Sequence, residues 1–106
     1  MTFTLATWNI NSVRLRADLV ARLLREEGPD ILCLQECKSP VDKIPAGIFA
    51  NLGYPHMIAR GEKGYNGVAI LSRLPIEEAG ALDFAGLGHA RQIAGRLENG
   101  VTIHNF

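Results

Sequence analysis

The most informative segment of the chain is Pro29-Asp30-Ile31-Leu32-Cys33-Leu34-Gln35-Glu36-Cys37-Lys38. Its apolar run is too short for a typical helix, and Gly28-Pro29 interrupts the chain just before it. We therefore predict a buried strand over residues 30–36. The polar side chains of Gln35 and Glu36 then lie at the carboxyl end of that strand.

The residues before this segment predict a strand and a helix. Residues 2–9 begin with alternating apolar and polar side chains, which is typical of a strand. From about Val13 the spacing becomes helical, and the predicted apolar stripe consists of Leu15, Leu19, Leu23, Val20 and Leu24. Gly28-Pro29 is a helix stop signal. Strand, helix and strand with short connections predict a βαβ unit, in which the two strands are parallel neighbours.

The remaining residues predict further short elements. We expect a short helix near residues 46–52, strands at 56–59 and 68–72, and a looser stretch to about residue 90. Asn99-Gly100 predicts a hairpin between residues 92–97 and 101–106. A two-residue turn would place Leu97 opposite Thr102 and Arg96 opposite Ile103, so neither face would be cleanly apolar. This pattern suggests a sheet that is covered on both sides. The chain stops at Phe106 inside an apolar strand without a polar tail, so we expect it to be a cut chain.

Length and charge restrict the class of protein. A chain of 106 residues is one domain, and its 11 basic and 11 acidic residues give a formal net charge of zero. This balance gives no overall indication of a nucleic-acid or membrane partner. The sequence has neither a signal peptide nor an apolar run long enough to span a membrane, so we expect a cytoplasmic protein.

The two cysteines are predicted to be reduced. Cys33 and Cys37 would lie about 13 Å apart in extended chain, at about 3.3 Å per residue, and a disulfide needs less than about 7 Å. The three histidines are scattered singly, which argues against a zinc site.

Two predicted strand ends carry side chains that could bind a metal. If the two strands are parallel neighbours, Asn9 and Glu36 emerge at the same carboxyl edge, where open α/β sheets bind ligands. Amide and carboxylate oxygens favour Mg²⁺ or Mn²⁺ over zinc. The alternative is that Asn9 caps the helix and Glu36 only marks a solvated strand end.

Three motifs resemble the exonuclease III family of AP endonucleases, within the endonuclease/exonuclease/phosphatase superfamily. Residues 29–38 resemble the family signature, residues 8–14 (Trp-Asn-Ile-Asn-Ser-Val-Arg) its opening motif, and residues 64–72 (Gly-Tyr-Asn-Gly-Val-Ala-Ile-Leu-Ser) its third block. The resemblance covers residues 1–106 but only about the first two-fifths of a family member. Departures are Ser12, where many members have glycine, and Cys37, where threonine is frequent.

The resemblance implies a fold, a cofactor and site residues. The fold is an α/β four-layer sandwich, two sheets flanked by helices, of which this chain is a truncated N-terminal portion. Glu36 matches the metal-binding glutamate and Asn9 the asparagine beside the metal and nucleophile, while Asn11 is metal-proximal. Residues expected at the DNA are Arg14, Lys38, Tyr65, Asn66 and Arg91. The basic residues Arg14, Lys38, Arg60, Lys63 and Arg91 would form a local basic rim around the Glu36 site.

The implied activity is Mg²⁺-dependent hydrolysis of phosphodiester bonds in double-stranded DNA. Family members cut 5′ to abasic sites, and many remove nucleotides from 3′ ends; the implied full-length protein is a monomer. The chain itself lacks a convincing catalytic base, so we expect it to be inactive alone. The alternatives are a phosphoesterase of the same superfamily acting on phosphoinositides or sphingomyelin, and a non-catalytic truncated product.

Overall fold

The strands form two sheets in the computed structural model, which describes residues 2–61, 64, 66–80 and 92–106. The elements in chain order are β1 (Leu5–Asn9), α1 (Ala17–Glu26), β2 (Ile31–Gln35), a 3₁₀ turn (Val41–Lys43), α2 (Ala46–Asn51), β3 (His56–Arg60), β4 (Val68–Ser72), β5 (Ile76–Gly80), β6 (Ile93–Leu97) and β7 (Thr102–Asn105). The first sheet has the order β1-β2-β4-β3, and the second has the order β5-β6-β7.

The predicted βαβ unit is confirmed. β1 and β2 are parallel neighbours joined by α1, and their register pairs Asn9 with Gln35. β4 adds to the other side of β2 in the antiparallel direction and pairs Val68 with Gln35. Residues 31–34 are all buried, which explains why their sequence is continuously apolar and does not alternate.

The first sheet separates two hydrophobic cores. On one face, Leu32 and Leu34 pack in a cluster with Val20 and Leu24 of α1 and Phe49 of α2. On the other face, β2 and β4 contribute to a second cluster with β6 and β7, formed by Ile31, Cys33, Val68, Ile70, Ile93, Leu97 and Ile103. The described residues therefore form three layers: helices, first sheet and second sheet.

Helix α1 begins later than the sequence predicts. It starts at Ala17, since Ser12 has a φ of 87° and the residues up to Arg16 form turns. The predicted apolar stripe is only partly right: Leu24 is 2% exposed, whereas Leu19 is 48% and Leu15 is 76% exposed. The helix is oriented by the fit of its buried residues against the sheet, which periodicity alone does not specify.

The register of the hairpin is a correction to the sequence prediction. Arg96 pairs with Thr102 and Gly95 pairs with Ile103. The turn has three residues, 98–100, because Gly100 donates to the carbonyl of Leu97 and has a φ of 90°. A one-residue shift moves every side chain to the other face of a strand. β7 therefore alternates cleanly, with its buried residues toward the first sheet.

β5 is a strand in a region that the sequence assigns to a loose stretch. It pairs with β6 and has a register shift between Glu78 and Gly80. Its acidic residues have low strand propensity, so pairing with β6 decides its conformation. Within the described residues, no helix is long and apolar enough to cross a membrane. The α/β class with two sheets is confirmed, and the outer helical layer on the second sheet stays a prediction.

Candidate functional site

Asn9 and Glu36 meet at one cleft, as the sequence predicts. Asn9 ends β1, Glu36 directly follows β2, and the side chains of both are exposed. The cleft has a volume of about 380 Å³ and is lined by Asn9, Gln35, Glu36, Asn66, Gly67, Val68 and Phe106. The alternative role of Asn9 as a helix cap is wrong, because α1 begins at Ala17 and Arg16 occupies its N-cap position.

Backbone hydrogen bonds join the three chain segments around this cleft. The segment after β1 donates to the segment after β2, from the amides of Ser12 and Val13 to the carbonyls of Glu36 and Cys37, at 2.9 and 3.0 Å. The amides of Cys37 and Lys38 donate in turn to the carbonyls of Gly67 and Asn66, at 3.0 and 2.8 Å. The position of Glu36 is therefore set by both neighbouring segments.

The same segments contain unusual backbone conformations. Among the described residues, those other than glycine with positive φ are Asn11 (48°), Ser12 (87°), Glu36 (52°), Lys38 (54°) and Asn66 (55°). Asparagine tolerates this region, whereas serine, glutamate and lysine are strained there. Strained residues persist where surrounding contacts over-determine them, and such residues cluster at functional sites.

Asn11 and Lys38 contact each other. Lys38 Nζ donates to Asn11 Oδ1 at 2.5 Å, and Arg16 Nη1 donates to the backbone carbonyl of Asn11 at 2.5 Å. Neither Asn11 nor Lys38 lines the cleft that holds Glu36. A metal-proximal role for Asn11 therefore stays a prediction, and the Asn11–Lys38 pair connects the first two segments at their side chains.

The other predicted DNA-binding residues have different surroundings. Arg14 is exposed on the turn that precedes α1, and Asn66 lines the cleft. Tyr65 and Arg91 lie outside the described residues, as does Lys63. Arg60 forms an ion pair with Glu78 at 2.9 Å, so its charge is partly neutralised. Of the predicted basic rim, Arg14 and Lys38 are the described cations on the segments around the cleft.

The donor atoms at the cleft suit a hard divalent cation. Glu36 supplies a carboxylate and Asn9 supplies an amide oxygen. The described residues contain no cluster of three or more His, Cys, Asp or Glu side chains that could hold a metal ion. Mg²⁺ keeps several waters and is commonly held by one or two carboxylates together with substrate phosphate. The residues present therefore fit part of a site for a hard divalent cation.

The two thiols are free and buried, as predicted. Burial raises the pKa of Cys33 to about 11 and the pKa of Cys37 to about 12. Both thiols are therefore protonated at neutral pH and behave as small apolar side chains. Cys37 directly follows Glu36 in the chain. Because its thiol is neutral, Glu36 is the only acidic side chain of residues 36–38.

Four residues that line the cleft were not predicted as site residues: Gln35, Gly67, Val68 and Phe106. Gln35 could have been suspected from its place beside Glu36 at the end of a predicted strand. Phe106 could not, because it lies 70 residues from Glu36 in the chain and reaches the cleft only through the packing of the two sheets. His104 stacks on Phe106 with ring centroids 6.3 Å apart, and it does not line the cleft.

Comparisons with known proteins agree with this fold and identify the family. Residues 6–105 match the Endonuclease/Exonuclease/phosphatase family. Exodeoxyribonuclease III of Haemophilus influenzae is 37% identical over 67 residues, which is 63% of this chain and 25% of that protein.

Two solved structures are also similar. An AP endonuclease from Archaeoglobus fulgidus is 38% identical with a TM-score of 0.87, and the match covers 97% of this chain and 40% of that one. The 3′ phosphatase NExo from Neisseria, bound to a product DNA hairpin, is 37% identical with a TM-score of 0.84 and the same coverage. The chain thus spans well under half of the length of these relatives. Matched over nearly all of its residues, the chain belongs to the Endonuclease/Exonuclease/phosphatase family.

Proposed function

We propose that this chain provides the metal-binding edge of a DNA-repair nuclease that hydrolyses DNA phosphodiester bonds with Mg²⁺, or with Mn²⁺ in its place. The observation that carries the proposal is the meeting of Asn9 and Glu36 in one cleft at the carboxyl edge of the first sheet. The names of the relatives, an exodeoxyribonuclease III, an AP endonuclease and a 3′ phosphatase with a DNA product, support DNA as the substrate.

In this proposal, Glu36 holds the divalent cation through its carboxylate, and the Asn9 amide supports the same site. A bound divalent cation acts as a Lewis acid on a phosphoryl oxygen and balances the charge of the leaving oxygen. Arg14 and Lys38 contact the phosphate backbone and set its position, because phosphate contacts orient a duplex without reading its sequence. The strained, hydrogen-bonded segments keep these groups in place before the substrate binds.

The proposed substrate is double-stranded DNA, cut 5′ to abasic sites or shortened from its 3′ ends. The proposed protein is monomeric when full length and cytoplasmic. Residues 1–106 alone bind the cation without completing the reaction, since no described side chain at the cleft is a suitable general base. His104 has the chemistry of a general base, but it contacts Gln92 and Phe106 and does not line the cleft.

The proposal is tested by comparing two substrates and two carboxylate variants. In a protein that contains the whole family domain, we expect Mg²⁺-dependent nicking of a duplex with one abasic site and negligible release of phosphate from an inositol phosphate. Glu36→Gln should reduce nicking at least 100-fold. Glu98→Gln is the matched control, because Glu98 is an exposed carboxylate in the β6–β7 turn, and it should retain full activity.

The outcomes separate the candidate functions. Efficient hydrolysis of the inositol phosphate without DNA nicking would favour the phosphoesterase alternative. Nicking by residues 1–106 alone, at a rate near that of the whole domain, would contradict the expected inactivity of this chain. Full activity of Glu36→Gln would show that the metal is held elsewhere.

A further inference from the structure

A buried amide connects the two sheets beneath the cleft. Asn105, in β7 of the second sheet, is 2% exposed. Its Nδ2 donates to two backbone carbonyls of the first sheet, those of Leu34 at 3.0 Å and Ala69 at 2.8 Å. Its Oδ1 accepts a hydrogen bond from Gln35 Nε2 at 2.7 Å. Asn105 therefore spans β2, β4 and β7 with one side chain.

These partners allow only one orientation of the Asn105 amide. Backbone carbonyls are acceptors, so the donor Nδ2 must face Leu34 and Ala69 and the acceptor Oδ1 must face Gln35. Turning the Gln35 amide over would bring its oxygen against Oδ1 of Asn105, two acceptors with no proton between them. Two carbonyls of the first sheet thus determine how the side chain of Gln35 is oriented.

Gln35 makes two further hydrogen bonds, one with β1 and one with the residue that follows β1. Its second amide proton is directed to Thr7 Oγ1, at a distance of 2.8 Å from Nε2, and its backbone carbonyl accepts from the amide of Ile10 at 3.0 Å. Both side-chain protons of Gln35 are then used. The next residue, Glu36, begins the strained segment with a φ of 52°. Gln35 is consequently the last firmly held residue before the proposed metal ligand.

We infer that the Asn105–Gln35 amide pair is a positioning device for Glu36, which fixes where β2 ends and thereby where the Glu36 carboxylate enters the cleft. The inference rests on the proposed function, because it takes Glu36 as the metal ligand. Phe106 follows Asn105 and lines the same cleft. The Asn105–Gln35 pair therefore also holds this end of the second sheet against the proposed metal-binding edge. In this inference Asn105 and Gln35 act through Glu36, as positioning residues.

The test measures Mn²⁺ affinity of the chain from the free-ion EPR signal, together with its thermal unfolding. Gln35→Met keeps the length of the side chain and removes both of its hydrogen bonds. We expect it to raise the Mn²⁺ dissociation constant about tenfold, as the loss of groups that orient metal ligands typically does. Ile103→Val is the matched control, since Ile103 packs between the same two sheets without a polar role. It should lower the unfolding temperature and leave the Mn²⁺ affinity unchanged.

Thr7→Val provides a second measurement of Mn²⁺ affinity, which does not depend on how well Gln35→Met folds. Thr7 is exposed on β1, and valine has nearly the same shape without the acceptor oxygen. A several-fold weaker Mn²⁺ affinity is expected, with Thr7→Ser restoring it. Unchanged affinity in both Gln35→Met and Thr7→Val, or equal weakening in Ile103→Val, would overturn the inference. Absence of Mn²⁺ binding by the wild-type chain would overturn the metal site itself and the inference with it.

Discussion

Replacing Gly67 with alanine tests the packing beside Glu36. Gly67 has a φ of 97°, in the region that favours glycine. A Cβ atom there would lie 3.2 Å from both Cys37 Cβ and the backbone nitrogen of Lys38. Cys37 is fully buried, and the amides of Cys37 and Lys38 donate to the carbonyls of Gly67 and Asn66. The alanine methyl group therefore cannot be accommodated without moving the backbone beside Glu36.

Gly53 is the matched control for the size of this effect. Its φ is also 97°, but a Cβ atom there would meet nothing within 4 Å. The left-handed conformation costs alanine about 1–2 kcal/mol, and the stiffer unfolded chain returns about 0.4–1 kcal/mol. Gly53→Ala should therefore lose about 1 kcal/mol of unfolding free energy. Gly67→Ala should lose about 1–3 kcal/mol more, because overpacking adds to the same backbone cost.

Urea unfolding followed by circular dichroism measures the difference between the two variants. At an m-value of about 1–2 kcal/mol/M, an extra loss of about 2 kcal/mol separates their midpoints by roughly 1–2 M. Equal midpoints for Gly67→Ala and Gly53→Ala would refute the close contact between Gly67 and the Cys37–Lys38 backbone. Wild-type stability in both variants would refute the assignment of glycine-specific conformations to these two positions.

Other substitutions test the strained turn, the helix orientation and the buried thiols. Ser12→Gly should raise the urea midpoint, because relief of strain of about 1–2 kcal/mol exceeds the entropy cost of about 0.4–1 kcal/mol; a lower midpoint would contradict the φ of 87°. Leu24→Ala should cost about 2–5 kcal/mol and Leu19→Ala less than about 1 kcal/mol in the same assay, whereas equal losses would contradict the observed face of α1. Cys33 and Cys37 should resist a thiol reagent at pH 8 in the folded chain and react fully in urea. Since burial raises their pKa values from 9.0 to about 11 and about 12, the unfolded chain releases these protons first, so stability should fall as pH rises above about 9. A midpoint that is constant from pH 9 to 11 would contradict their burial.

Local signals explain which parts of the fold were predictable. β4 has the bounds that the sequence predicts, because residues 68–72 are an apolar run between a glycine-rich loop and a proline. The meeting of Asn9 and Glu36 was also predictable, since a short right-handed βαβ connection places the carboxyl ends of two strands side by side. The hairpin was recognised from Asn99-Gly100, but its register was wrong by one residue. The third turn residue, Glu98, gives no distinct local signal.

The sequence alone determined the parallel strand pair, the helix between its strands and the acidic end of β2, because each depends on residues close together in the chain. Only the tertiary structure decided what surrounds Glu36. Gln35 and Asn105 are 70 residues apart, and their hydrogen bond forms only after two sheets have packed face to face. The strained conformations of Ser12, Glu36 and Lys38 have the same origin, since bonds between separate segments impose them against local preference. No local pattern in the sequence reports contacts of this range, so the geometry around Glu36 was not predictable from the sequence.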